Sequence, residues 1–250
     1  MAAVVRRSRE EIALMRRAGR IVAEVLAAVE EAMKPGVTTA ALDAVAESYI
    51  RKAGARPSFK GYRGFPACIC VSIDSEVVHG IPGKRVIEEG QVVSIDAGAI
   101  WKGYHGDGAR TFYIGTPPED VDRLIGTTRL ALMAGIAAAV PGNHIDDISG
   151  AVEDVAVEGH FGIVRQYVGH GIGTRMHEDL QVPNYRTDNV GIELLPGVCI
   201  AIEPMLTLGR ADVHTLADDW TVVTTDHSLA AHFEHTIAVT DDGPEILTTV

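Results

Sequence analysis

The sequence predicts an α/β fold built from two pseudo-symmetric halves, and three observations predict it. Two stretches of helical periodicity are followed by short apolar runs of strand length, and the same succession then recurs. In each half an apolar run ends on a carboxylate at the same offset from a glycine: Gly90 to Asp96 (GQVVSID) lines up with Gly197 to Glu203 (GVCIAIE).

Taken in order, Ser8 and Glu11 stand in the relation of a capping box, and Ile12, Met15, Val22, Val25, Leu26, Val29 and Met33 follow at roughly helical spacing. That helix should end at Lys34, Pro35 and Gly36. A second begins near Thr39, carries Leu42, Val45, Tyr49 and Ile50 on one face, and stops at Gly54. Residues 69–73, 92–95 and 111–114 read as strands. In the second half a helix led by Pro118 runs through Leu124, Leu132 and Ile136 to Pro141 and Gly142. A further helix, capped by Asp146, carries Ile148, Val152 and Val155, and residues 163–168, 198–202 and 236–239 complete the set of strands. No Gly/Ser-rich or Pro-rich linker separates the halves, so residues 1–250 are expected to form a single domain of two halves, about 1–115 and 116–250.

The repeat extends to polar residues. Asp107 and Glu234 each precede a Thr, Thr111 or Thr236, that opens an apolar run, so folding the halves together gathers Asp96, Asp107, Glu203 and Glu234 in one central cleft. Carboxylates buried at strand ends are costly unless they are paired or hold a cation. With His170, set among glycines in GHGIG, they supply the oxygen and imidazole ligands of a hydrolytic two-metal site.

Composition narrows the function. The chain has 250 residues, 46% hydrophobic and 22% charged, which suits one globular unit. A formal net charge of -12 argues against affinity built on phosphate neutralisation, so no stable nucleic-acid binding is expected. The Arg-rich start (Arg6, Arg7, Arg9, Arg16, Arg17, Arg20) is a local exception. Three cysteines without a CxxC pair speak against a disulfide framework, and no apolar run is long enough to span a membrane. The expected address is the cytoplasm.

Eight ordered segments carry a resemblance: GYRGFP (61–66), VVHGIP (77–82), SIDAG (94–98), HGDG (105–108), GHGIG (169–173), MHE (176–178), AIEPM (201–205) and FEHT (233–236). From end to end the chain resembles the type I methionine aminopeptidases. The resemblance implies the pita-bread fold, with a pseudo-twofold symmetric, antiparallel-type central sheet carrying the metals and helices on its outer face. It also implies two divalent ions per chain (Co, Mn, Fe or Zn). Asp96 would bind one, Asp107 and Glu234 would bridge both, and His170 and Glu203 would bind the second. His79 and His177 match the two non-ligand histidines that contact substrate, and Glu203 matches the general base. The positions matching the methionine pocket are Phe59, Tyr62, Phe65, Cys70, His79, Met176 and Trp220. Met176 stands where an aromatic is common and Arg63 where His is common. Family members hold a monovalent cation near the segment matching 72–76, but Asp74 replaces a frequent Asn, which leaves the presence of that site open. The partner implied is the N-terminal methionine of nascent polypeptides, acted on by a monomer, with transient ribosome contact left open. Two rival readings are a proline-specific peptidase, which usually carries a separate N-terminal domain, and a binding module that has lost its ligands. Retention of all five ligand positions speaks against the second.

Overall fold

In the computed structural model, which describes residues 4–250, elements succeed one another in two similar runs. The first is α1 (Arg9–Ala32), α2 (Thr39–Lys52), β1 (Arg56–Pro57), β2 (Ile69–Ile73), β3 (Glu76–Val78), β4 (Val92–Trp101) and β5 (Tyr104–Tyr113). The second is α3 (Glu119–Ala138), α4 (Ile145–Glu158), β6 (Gly162–Ile163), β7 (Gly169–Gly171), β8 (Glu178–Val182) and β9 (Cys199–Ile202), then β10 (Met205–Thr207), β11 (Val213–Thr215), β12 (Val222–Thr224), β13 (Ala230–His232), β14 (Glu234–Thr240) and β15 (Gly243–Ile246).

The helices begin where the chemistry allows. Ser8 and Glu11 form the reciprocal capping box of α1, and the Thr38 hydroxyl accepts from the Ala41 amide at the start of α2. The start of α4 corrects the sequence reading: His144 is the capping position, its amide donating to the Asp147 carboxylate at 2.7 Å, while Asp146 accepts from Thr187.

A nine-stranded antiparallel sheet runs β1-β4-β5-β14-β9-β7-β8, with β2 on β4 and β15 on β14. Both helix pairs cover one face. Ile21, Val25 and Leu42 pack on Ile69, Val93 and Ile95, while Leu132, Ile136 and Ile148 pack on Ile200, Ile202 and Ile237. Three strands differ from expectation. The one expected at 92–95 runs on to Trp101, so Asp96 lies within β4 rather than at its end. The strand expected at 111–114 begins at Tyr104, because Gly106 and Gly108 face α1 and hide the apolar alternation. The strand expected at 163–168 ends at Ile163, and the chain then crosses the lip of the central cavity.

Reciprocal clasps tie the middle of the sheet. The Thr236 hydroxyl accepts from the Asp107 amide and donates to its carbonyl at 2.9 and 2.8 Å, and the Thr111 hydroxyl does the same for His232 at 2.8 and 2.7 Å. Asp107 lies four residues before Thr111, as His232 does before Thr236, so the counterpart of Asp107 in the repeat is His232 rather than Glu234.

Close approach of α1 to β5 requires glycine. A Cβ on Gly106 would lie 2.6–2.9 Å from backbone atoms of Gly19 and Ala18, whereas one on Gly126, inside α3, would meet nothing within 4 Å. Gly106→Ala should therefore lower stability by about 1–3 kcal/mol through overpacking. Gly126→Ala should raise it by about 0.5–1 kcal/mol through helix propensity and reduced unfolded-state entropy. Urea denaturation of both variants checks the opposite signs.

Candidate metal centre

The concave face of the sheet holds the acidic residues. Asp96 on β4, Asp107 on β5 and Glu234 at the head of β14 point to the side away from the helices, Glu203 follows the end of β9, and His170 sits in the middle of β7. Register explains how carboxylates from three strands share one space. Ala109 pairs with both Asp96 and Glu234, and its methyl group leaves the gap between them open.

Ligand atoms of Asp107, His170 and Glu234 lie within 4.8 Å of one another. His170 Nε2 is 3.9 Å from Asp107 Oδ2 and 3.6 Å from Glu203 Oε1. Asp107 and Glu234 are each 3% exposed and His170 6%. Asp96 Oδ1, Asp107 Oδ1 and Glu234 Oε1 are buried without any hydrogen-bond partner. Native structures rarely leave such atoms orphaned unless an ion or ligand takes them up, so these residues fit a divalent cation with oxygen and imidazole ligands.

Electrostatics agree. Burial pushes the Asp96 carboxyl up from 3.8 to about 7. Burial, reinforced by the charges of neighbouring carboxylates, holds Asp107, Glu203 and Glu234 well above the ordinary carboxylate range. Burial lowers His170 to about 3 and His79 to about 4, so both imidazoles are neutral at neutral pH, the form that binds metal and donates a single hydrogen bond.

The cluster floors a cavity of 380 Å³. All thirteen residues singled out from the sequence line it: the five above, His79, His177, Phe59, Tyr62, Phe65, Cys70, Met176 and Trp220. One end is apolar. Phe59, Phe65, Cys70 and Met176 form a separate buried cluster flanked by Tyr62 and Trp220, with Phe65 edge-on to Trp220 at 5.0 Å. Gly98 makes room for it, since a Cβ there would lie 2.7 Å from the Phe59 ring.

The two further histidines stand over the acidic floor. His79 has φ 62°, a left-handed conformation costly for a residue with a Cβ, and its ring meets Tyr167 and Trp220 edge-on at 5.5 and 6.2 Å. His177 lies at the open rim, 4.1 Å from the His170 ring, with Nδ1 2.9 Å from the Tyr62 hydroxyl. Partial desolvation and the Arg63 charge lower its pKa.

Sequence reasoning missed Gln166, Tyr167 and Gln181, which also line the cavity, because 166–167 read as strand. It also missed His232, 2% exposed, whose Nε2 lies 3.9 Å from Glu203 Oε2. The repeat could have found His232 through its offset from Thr236. A second trio, Asp43, Glu47 and Cys68, has atoms within 4.8 Å of one another. Its groups are engaged elsewhere: Asp43 accepts from the Cys68 and Ile69 amides, Glu47 binds Lys60 and Arg51, and burial pushes the Cys68 thiol up to about 12.

The raised carboxyl values fix the pH dependence of metal uptake. A carboxyl held above its ordinary value favours the protonated, metal-free fold at low pH, and that contribution is lost as pH rises through the folded value. For Asp96 the window runs from 3.8 to about 7. Protons and cations compete for the same oxygens. Titration calorimetry with Mn²⁺ should give an apparent affinity at least about tenfold tighter at pH 8 than at pH 5.5, with proton release at the lower pH. An affinity independent of pH would contradict the assignment.

Comparison with known proteins fits this geometry. The profile of metallopeptidase family M24 matches residues 13–241. A methionine aminopeptidase of Clostridium acetobutylicum is 54% identical over 95% of this chain and 96% of its own length. The crystal structure of a methionine aminopeptidase from Thermotoga maritima superposes with a TM-score of 0.97 at 40% identity, covering 99% of this chain and 100% of that one. A prolidase from Pyrococcus furiosus, 23% identical with a TM-score of 0.80 over 98% of this chain and 66% of that one, shares the pita-bread fold. The chain belongs to metallopeptidase family M24 and, within it, to the methionine aminopeptidases.

Proposed function

We propose that this enzyme releases the N-terminal methionine of polypeptides whose second residue is small, using two divalent cations held by Asp96, Asp107, His170, Glu203 and Glu234. The observation that carries the reading is the pairing, in one cavity, of orphaned carboxylate oxygens with an apolar end lined by aromatic and sulfur-bearing side chains. Asp107, His170 and Glu234, whose ligand atoms lie together, would hold the ions with Asp96 and Glu203. When bound, such ions acidify a water, polarise the scissile carbonyl and bind the free α-amine. Their identity, Co, Mn, Fe or Zn, is not fixed by oxygen and imidazole ligands, because availability often decides among these metals.

The protein's own groups do the rest. The thioether lies among Phe59, Tyr62, Phe65, Cys70, Met176 and Trp220, where contacts of sulfur with aromatic rings are favourable. Glu203 accepts the proton of the attacking water and delivers it to the leaving nitrogen. A Tyr62 hydroxyl donating to His177 Nδ1 leaves the ring proton on Nε2, and His177 donates it to the carbonyl oxygen as negative charge develops there. His79, neutral and edge-on to Trp220, contacts the substrate backbone beside the pocket.

The chain acts as one catalytic unit whose halves meet near residue 115, as a monomer on nascent polypeptides in the cytoplasm. In support, no helix among the described residues is long and apolar enough to cross a membrane, and all three cysteines are free thiols.

Specificity tests the reading. Turnover of Met-Gly, Met-Ala and Met-Ser tripeptides should exceed that of Met-Leu and Met-Arg by at least about 10²-fold, the scale on which a closed pocket can reject bulk. Chelation should abolish turnover. Equal rates across the panel, or a demand for proline in second position, would replace the reading by a different peptidase activity.

A further inference from the structure

The catalytic rim is pinned from behind by a segment of chain far from it in sequence. β7 and β8 form a hairpin closed by residues 172–177, with Gly171 opposite Glu178. Both histidines hang on it, His170 within β7 and His177 next to the head of β8. Neighbouring side chains along a strand alternate in direction, so with His177 turned into the cavity Glu178 turns away from it. There it meets Arg7. The two form an ion pair with side chains 6% and 10% exposed.

Arg7 is itself fixed. Its amide donates to the Gly197 carbonyl at 2.7 Å, Arg6 Nε donates to the Pro196 carbonyl at 2.7 Å, and Arg6 bridges to Val198. Glu11, which closes the α1 capping box and accepts from the Tyr104 hydroxyl at 2.8 Å, lies 3.6 Å from the Arg7 guanidinium. The guanidinium also explains a glycine of the GHGIG motif. A Cβ on Gly173 would collide with it, so any other residue there would require the guanidinium to shift from its place against Glu178.

A buried ion pair is expensive to desolvate, and replacing one by apolar residues is often neutral or stabilising. Its presence here therefore calls for a role other than stability. We infer that Arg7 is a positioning residue for the peptidase reaction: through Glu178 it fixes the hairpin that presents His177 to the developing oxyanion. The N-terminal segment thereby completes the catalytic rim. This rests on the role proposed for His177.

The test compares Arg7→Met, Arg7→Lys, the double variant Arg7→Met/Glu178→Gln and His177→Ala. Each is measured for metal stoichiometry, thermal midpoint, and kcat and KM on Met-Ala-Ser. The double variant removes both charges and leaves no unpaired buried ion. In it and in Arg7→Met, kcat should fall about 10- to 100-fold, the cost of a displacement of roughly 1 Å, while KM and metal content stay near wild type. Arg7→Lys keeps the cation and should recover part of kcat, and it carries the test if the other two fail to fold. Wild-type kcat in the folded double variant, or no kcat advantage of Lys over Met at position 7, overturns the inference. So does a fall in kcat that only tracks lost metal. If His177→Ala keeps wild-type kcat, the role of His177 fails first. If it loses kcat while the Arg7 variants keep theirs, only the inference about Arg7 fails.

Discussion

Four carboxylates gathered on the floor of one cavity, with three of their oxygens buried and unpartnered, repel one another and have lost the water that would stabilise them as anions. Without counter-charge such a group can persist only by holding protons, which is why every one of these carboxyls is pushed above its ordinary range. Divalent cations relieve the strain at neutral pH. The rest of the structure follows from the need to hold this unstable set in one place until the ions arrive.

The sheet meets that need with rigid geometry. Asp96, Ala109 and Glu234 lie in register across β4, β5 and β14, so the distance between carboxylates is set by the strand spacing. β5 and β14 pair over only two residues, Glu234 with Ala109 and His235 with Gly108. The reciprocal clasps of Thr111 with His232 and of Thr236 with Asp107 reinforce that short seam where Asp107 and Glu234 emerge. Helices cover only the opposite face, which leaves the concave face free for the cavity, the apolar pocket and the two rim histidines. The Arg7–Glu178 pair extends the same logic to the rim, where a hairpin loop rather than a strand carries His177.

Much of this was legible in the sequence because its signals are local. The capping box at Ser8, the matched GQVVSID and GVCIAIE runs and the eight ordered segments each concern residues close together in the chain, and the segments contain ten of the thirteen singled-out residues that line one cavity. What was illegible depends on partners distant in sequence. Gly106 and Gly108 broke the apolar alternation of β5 because their space is filled by α1. Tyr167 sat in a stretch that reads as strand but crosses the cavity lip. His232 looked like one histidine among ten, and its place beside Glu203 emerges only when β13 packs under the metal floor. The Arg-rich start stood out only as a local exception in charge, yet the Arg7 side chain is buried against a hairpin 171 residues away in the chain.

The central claim, that the carboxylate floor exists to hold two divalent cations, is tested most directly by anomalous diffraction from crystals loaded with manganese. The account predicts two anomalous peaks within the cavity, one against Asp96, Asp107 and Glu234 and the other against Asp107, His170, Glu203 and Glu234. Their separation should be about 3.5–4 Å, as in two-metal hydrolytic sites. An empty floor at saturating manganese and neutral pH, or occupancy only beside Asp43, Glu47 and Cys68, would contradict it.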